Sequence, residues 1–253
     1  MAMSSVAIVA ALEREVRPLI REWRVREKEV NGRRFRFFEN HEIVLVCAGI
    51  GAEAARRAAE AVIQIYAPSM VYSAGLAGAL DPALKVGDVV RPRRVVNAGD
   101  GSSVSLDQGQ GILVSFGSVA SPEQKASLRE SFGAQAVDME GAAVALAAES
   151  RGAGFGVVKV ISDEFDFRFP SMERFIDGSG QFRQGRFAWF TALRPWLWPQ
   201  VARLAANSNR ASLALCDWLR NMIDRIPASA DVPPTGATNR RERDEPRFDE
   251  PRF

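Results

Sequence analysis

The sequence predicts an α/β fold of three αβα layers, with a central mixed β-sheet, an aromatic helical extension and a disordered tail. Three observations predict it. Short runs rich in Val and Ile alternate with longer amphipathic stretches over the first two-thirds of the chain, the pattern of a sheet covered by helices on both faces. Several of these runs end at glycine turns or carboxylates, where open α/β sheets bind ligands. A chain of 253 residues that is 47% hydrophobic can also build one sizeable core. Residues 1–226 are therefore read as a single domain, with the aromatic extension beginning at about residue 165 and the tail covering 227–253.

The elements follow in order. Val6–Ala11 is apolar throughout and reads as a buried strand. Glu13–Arg24 follows as a helix, with Val16, Leu19, Ile20 and Trp23 at helical spacing. Arg33–Glu39 and Glu42–Ala48 are strands around a polar turn at Asn40-His41, and Gly49-Ile50-Gly51 leads into a helix over Ala52–Tyr66 that stops before Pro68. Ser69–Ala74 reads as a strand entering a turn at Gly75-Leu76-Ala77-Gly78. Val86–Val96 is strand-like with a bend at Gly87-Asp88, and Gly99–Gly111 reads as a loop. Ile112–Phe116 is another strand, and Pro122–Ser131 is a helix with Ser121 as its N-cap. An alanine-rich helix spans Gly141–Glu149, and a β-branched strand through Val157, Val158, Val160 and Ile161 closes at Asp163. Beyond it, Phe165, Phe167, Phe169 and Phe175 precede helices expected over Gly185–Leu193 and Pro199–Ile223. From Pro227 the chain is Pro-rich and charged, and its Asp-Glu-Pro-Arg-Phe pair at 244–248 and 249–253 is too short to be a fold unit.

Composition narrows the function. A net charge of +2 carries no nucleic-acid footprint. The short basic runs Arg91-Pro92-Arg93-Arg94 and Arg240-Arg241 read as solvated surface. Cys47 and Cys216 read as small core residues in a reducing, cytoplasmic setting. With His41 the one histidine and no Cys/His cluster, neither a metal nor a cofactor is expected. The opening apolar run is too short for a secretion signal, and no stretch of ~18 apolar residues spans a membrane.

The carboxylates carry the chemistry. Asp138-Met139-Glu140 opens one helix, Ile161-Ser162-Asp163 closes a strand, and Glu15 lies just past the first strand. Acids converging at strand ends supply what acid-assisted cleavage of a glycosidic bond needs. Glu13 is an alternative to Glu15, but on a helix their side chains point about 200° apart, so only one faces a pocket. Gly49-x-Gly51-x-x-Ala54 admits three readings: a dinucleotide fingerprint, amides that meet a smaller anion or a ribose, or a simple strand-to-helix turn. The fingerprint lacks its acidic partner, since Pro68, Ser69 and Met70 occupy the expected place.

These motifs together resemble the nucleoside phosphorylase/nucleosidase superfamily, in particular the methylthioadenosine/S-adenosylhomocysteine nucleosidases. Ala10-Ala11-Leu12-Glu13-Arg14-Glu15-Val16 is similar to their Gly-Ala-Met-Glu-Glu-Glu-Val, and Ala48-Gly49-Ile50-Gly51 to Ser-Gly-Ile-Gly. Ala74-Gly75-Leu76-Ala77-Gly78 resembles Thr-Gly-Ser-Ala-Gly, and Leu84-Lys85-Val86-Gly87-Asp88-Val89-Val90 resembles Leu-Lys-Val-Gly-Asp-Ile-Val. Ala136-Val137-Asp138-Met139-Glu140 resembles Ala-Val-Glu-Met-Glu, and Ile161-Ser162-Asp163 matches Ile-Ser-Asp. The resemblance runs from Val6 to Asp163 and implies a homodimer that binds a small purine nucleoside. It implies that Asp163, beside Ser162, donates a proton or strong hydrogen bond to purine N7. By the same resemblance Glu140 would hold the ribose hydroxyls, Met139 would pack on the sugar, and Glu15 would position and deprotonate the attacking water. Gly75, Leu76, Ala77 and Gly78 flank the base, with Asp138 a weaker binding candidate that could simply cap its helix. Three departures stand out. Leu76 replaces a serine, the central loop is short, and Val119 falls where the family stacks an aromatic ring on the base. After Asp163 the chain more closely resembles the hopanoid-associated phosphorylase-like branch, thought to remove adenine from adenosylhopane.

The expected reaction is hydrolysis of the N-glycosidic bond of a 5′-modified purine nucleoside, an adenosine derivative. The acidic pair around Arg14 would repel phosphate, which favours water as the acceptor. A phosphate-dependent phosphorylase using Arg91, Arg93 and Arg94, and a nucleoside-binding protein without turnover, are the alternatives. Trp189, Trp196 and Trp198 either cover the core or a dimer face, the favoured reading, or touch a membrane surface.

Overall fold

The computed structural model describes residues 6–168 and 198–226. Strand β1 (Val6–Ala10) is buried along its whole length and lies between two parallel neighbours, β4 (Ile43–Cys47) and β5 (Met70–Ala79). Around this trio the sheet runs β2-β3-β4-β1-β5-β10-β9-β7-β8, and β11 (Gly154–Asp163) joins β5 in parallel. The remaining strands are β2 (Arg24–Val30), β3 (Arg33–Asn40), β6 (Val89–Val90), β7 (Arg94–Asn97), β8 (Ser103–Ser105), β9 (Ile112–Ser115) and β10 (Ala136–Asp138). Parallel and antiparallel pairs coexist, so the sheet is mixed as expected.

Helices cover both faces. On one side, α2 (Ala52–Tyr66) and α4 (Gly141–Glu149) pack their alanines against Val9, Val44, Val46 and Val71. Small side chains bring both helices close to the β-branched sheet surface. On the other side, α1 (Glu13–Ile20) and α5 (Trp198–Ile223) bury Val16, Leu19, Ile20, Leu215 and Leu219 against Ile8, Leu45 and Val158. Helix α3 (Pro122–Phe132) opens with a capping box: Ser121 Oγ accepts from the Gln124 amide while the Gln124 side chain accepts from the Ser121 amide. Gly133, with φ of 60°, closes it.

Several elements differ from expectation. Helix α1 ends at Ile20, and Arg24–Val30 forms an edge strand paired with β3. Its sequence, RVREKEV, is charged and largely exposed, so no core-facing alternation announces it; charge is how edges avoid unwanted pairing. Strand β5 continues through Gly75–Gly78, where a turn was expected. The Val86–Val96 stretch divides into β6 and β7, and the Gly99–Gly111 loop contains the three-residue β8. The expected helix over Gly185–Leu193 and the tail from Pro227 lie outside the described residues.

Candidate active site

The C-terminal ends of β1, β5, β10 and β11 open onto one cavity of ≈ 550 Å³, and α5 closes its far side with Val201, Leu204, Ser208 and Ser212. That volume suits a small-molecule ligand. Ten of the eleven residues expected at the site line it: Glu15, Leu76, Ala77, Gly78, Val119, Asp138, Met139, Glu140, Ser162 and Asp163. Gly75 lies just beneath. A Cβ there would stand 3.6 Å from Glu15 Oε2 and 3.7 Å from Lys159 Nζ, ordinary contact distances, so this stretch of β5 backbone lies directly against both charged groups.

Each carboxylate is delivered by a specific local feature. The first turn of α1 turns Glu15 inward, where it is 6% exposed, and turns Glu13 outward to pair with Arg36 at 2.8 Å. Glu15 Oε2 is buried without a hydrogen-bond partner among the described residues. Burial, reinforced by the nearby Glu140 charge, raises the Glu15 carboxyl from 4.5 to about 7. Glu140 caps α4, and its Oε1 accepts from the Gly51 amide at 2.8 Å. The Gly49-Ile50-Gly51 turn, with φ of 98° at both glycines, therefore presents an amide to the protein's own carboxylate. Burial and the neighbouring Asp138 also push the Glu140 carboxyl upward.

Asp138 is held entirely by protein donors. Its Oδ1 accepts from Ser115 Oγ at 2.6 Å, and its Oδ2 from the Gly141 amide at 2.8 Å and from Lys159 Nζ at 2.8 Å. Lys159 sits in the middle of β11 opposite Gly75, with its side chain 2% exposed. Burial works against its charge, but Asp138, Glu140 and Glu15 outweigh burial and hold the ammonium charged.

A register shift between Ile161 and Asp163 shapes the last corner. Strand alternation alone would send Ser162 and Asp163 to opposite faces; the bulge lets both line the cavity. Asp163 is 3% exposed. Its Oδ1 accepts from Ser162 Oγ at 2.7 Å, and its Oδ2 from Lys125 Nζ at 2.5 Å. No helix follows it directly, so it does not cap one. A Cβ at Gly78 would stand 2.8 Å from Asp163 Oδ2 and 3.2 Å from Lys125 Cε, so the ion pair packs directly on the β5 backbone.

Sequence reasoning missed both lysines. Lys159 had a legible signal, a lone charge flanked by Val158 and Val160 in an otherwise apolar strand. Lys125 had none, because Glu123-Gln124-Lys125 looks like any solvated first helical turn. The site faces of α5 were also illegible, since their polar members are serines and Asn209 on an ordinary amphipathic helix. Arg91, Arg93 and Arg94 do not line the cavity; Arg91 stacks over Trp218 and Arg94 bonds Ser103. Among the described residues no cluster of His, Cys, Asp and Glu could hold a metal ion, and no helix is long and apolar enough to cross a membrane.

Comparison with known proteins agrees with this architecture. An aminodeoxyfutalosine nucleosidase of Campylobacter jejuni is 25% identical over 207 residues, covering 65% of this chain and 90% of its own length. A 5′-methylthioadenosine/S-adenosylhomocysteine nucleosidase of Marinomonas sp. is 35% identical over 99 residues, 38% of this chain and 42% of that one. The crystal structure of such a nucleosidase from Colwellia psychrerythraea, in complex with adenine, shares the fold with a TM-score of 0.65 at 21% identity, covering 89% of this chain and 96% of that chain. The family model described as Phosphorylase superfamily matches residues 5–116 and 108–181, a span that runs from β1 to beyond Asp163 and contains every carboxylate of the cavity. With that span and that fold, the chain belongs to the phosphorylase superfamily.

Proposed function

We propose that this protein hydrolyses the N-glycosidic bond of a 5′-modified purine nucleoside, an adenosine derivative. The observation that carries the reading is Glu15: a buried carboxylate with an unpartnered oxygen, in the same cavity as Glu140 and Asp163. A carboxyl at about 7 is near the ideal for a general base at neutral pH, ionised often enough to accept a proton and basic enough to take it from water. The relatives' names, nucleosidases of adenosine-type compounds, point to the same reaction class.

In this mechanism the bond between the sugar C1′ and the base N9 breaks first, leaving a cation on the sugar and negative charge on the purine. Glu140 faces the ribose hydroxyls with Oε2, whose one protein donor among the described residues is the Met139 amide at 3.3 Å, and its charge stabilises the cation. The Asp163 corner meets the imidazole edge of the base and supplies acid assistance at N7. Water attacks C1′ and passes its proton to Glu15. Leu76, Val119 and Met139 give the flat base and sugar an apolar bed. The face of α5 opposite this bed, with Val201 and Leu204, receives the 5′-substituent.

Water is preferred to phosphate as the acceptor because the Glu15, Asp138 and Glu140 carboxylates all line the cavity, and carboxylates repel an anion. We read residues 1–226 as one domain, since the described strands share one sheet and α5 closes its cavity. The cytoplasm and a homodimer complete the proposal, supported by two unpaired cysteines and by the family resemblance.

The test is a panel of 5′-substituted adenosines incubated with and without phosphate while free adenine is measured. Release without phosphate supports hydrolysis. Release that strictly requires phosphate overturns it in favour of a phosphorylase, and tight binding without release overturns catalysis altogether.

A further inference from the structure

We infer that Lys125, held in place by Asp163, is the group that gives the departing base its proton. The inference rests on the reaction proposed above and deepens it, replacing a carboxylic acid at this corner by an ammonium.

Lys125 is the fourth residue of α3, and the Ser121 capping box fixes the turn that carries it inward. Its side chain is 1% exposed yet lines the cavity. A dry ammonium persists only where partners compensate its charge. It carries three N–H donors and no acceptor. One points to Asp163 Oδ2 at 2.5 Å and one to the Glu164 carbonyl oxygen at 2.7 Å. The third has no protein partner among the described residues. Asp163, by contrast, has a donor at each oxygen: Lys125 Nζ at Oδ2, and at Oδ1 the Ser162 hydroxyl, which is nearer to it at 2.7 Å than to its other acceptor, the Ala77 carbonyl oxygen, at 3.3 Å. A carboxylate in that position offers a base nothing to share, whereas the ammonium beside it has a donor left over.

The C1′–N9 electron pair stays with the base as the bond breaks, and an Nζ proton of Lys125 moves to N7. Lys125 becomes a neutral amine, still bonded to Asp163. Water forms the new bond to C1′ and its proton goes to Glu15. Solvent then returns that proton to the amine, and the sum is nucleoside plus water giving free base plus sugar. Asp163 is the positioning residue of the pair, and Gly78 is the backbone gap that admits both.

The experiment measures kcat/KM for base release from 2-substituted adenosines carrying a 5′-substituent that the wild-type protein accepts. The series runs from 2-amino through unsubstituted to 2-fluoro, in order of falling basicity of the leaving base. Lys125→Met is expected to lose at least ~100-fold on the most basic leaving group and under ~10-fold on the least, because a better leaving base needs less acid. Lys125→Gln, which retains hydrogen-bond donors for Asp163 and Glu164, repeats the measurement if the Met variant does not fold. A loss of equal size across the series, or rates like wild type in either folded variant, overturns the inference. A wild-type protein that releases no base from any nucleoside overturns the proposed function instead, so the two failures are distinguishable.

Discussion

Glu15→Gln separates stability from activity in opposite directions, and the size of the stability effect follows from the site. Each pH unit by which a carboxyl is raised on folding corresponds to about 1.4 kcal/mol. The rise from 4.5 to about 7 therefore makes the ionised side chain cost the fold about 3 kcal/mol. The sign is that of a group whose folded-state value is raised: the native state binds the proton more tightly, so stability falls as pH climbs from about 4.5 and levels off above about 7. A glutamine of the same shape has no charge to bury. The variant should match wild type within about 0.5 kcal/mol near pH 4 and exceed it by about 3 kcal/mol near pH 9. Urea denaturation of both proteins at the two pH values reads this directly. Base release should meanwhile fall by about 100-fold or more, because the water has lost its base. In the wild-type protein kcat/KM should rise with pH to a plateau above about 7, as Glu15 loses its proton. Glu13→Gln removes only the exposed pair with Arg36 and should change both quantities little. A stability difference that is the same at both pH values, or a Glu13 variant more impaired than the Glu15 variant, would refute the reasoning.

Other perturbations test the rest of the site. Lys159→Met leaves Asp138, Glu140 and Glu15 without their shared buried cation and should destabilise by about 3–5 kcal/mol, seen as a lowered melting temperature. Asp163→Asn should abolish most activity while far-ultraviolet circular dichroism stays native; turnover near wild type would show that this corner does not assist the leaving base. Gly78→Ala pushes a methyl to 2.8 Å from Asp163 Oδ2 in a strand whose backbone any residue can adopt. It should lower kcat/KM by about 10-fold or more with a smaller effect on melting, since an active-site displacement of about 1 Å is costly. Ser121→Ala removes the capping box of α3 and should cost about 1 kcal/mol in chemical denaturation.

The parts of the fold that a reader of the sequence can see are those whose pattern is set locally. Strand β1, helix α2 and helix α4 fall where apolar periodicity, Gly51 and Pro68 put them, because each buries a face that the period alone identifies. Strand β2 is invisible for the converse reason: its residues face water, and only its partner β3 makes it a strand. Gly75-Leu76-Ala77-Gly78 looks like a turn because glycine usually marks one. Inside β5 the glycine at 78 does something different: it lets Asp163 and Lys125 come close to a backbone without a Cβ in the way.

The same division holds for the site. The amino-acid sequence alone picked out the carboxylates that line the cavity, since Glu15, Glu140 and Asp163 sit at strand and helix ends that any α/β sheet directs toward one edge. It also determined the family, through motifs in fixed order. Only the tertiary structure decided the charge balance. Lys125 lies 38 residues from Asp163 along the chain and 2.5 Å away in space, and Lys159 reaches Asp138 from a neighbouring region of the sheet. The Lys125–Asp163 pairing depends on a bulge, a capped helix and the missing side chain at Gly78 acting together. Buried charges are governed by what surrounds them in three dimensions, and burial and distance are properties of the folded chain that no local stretch of sequence encodes.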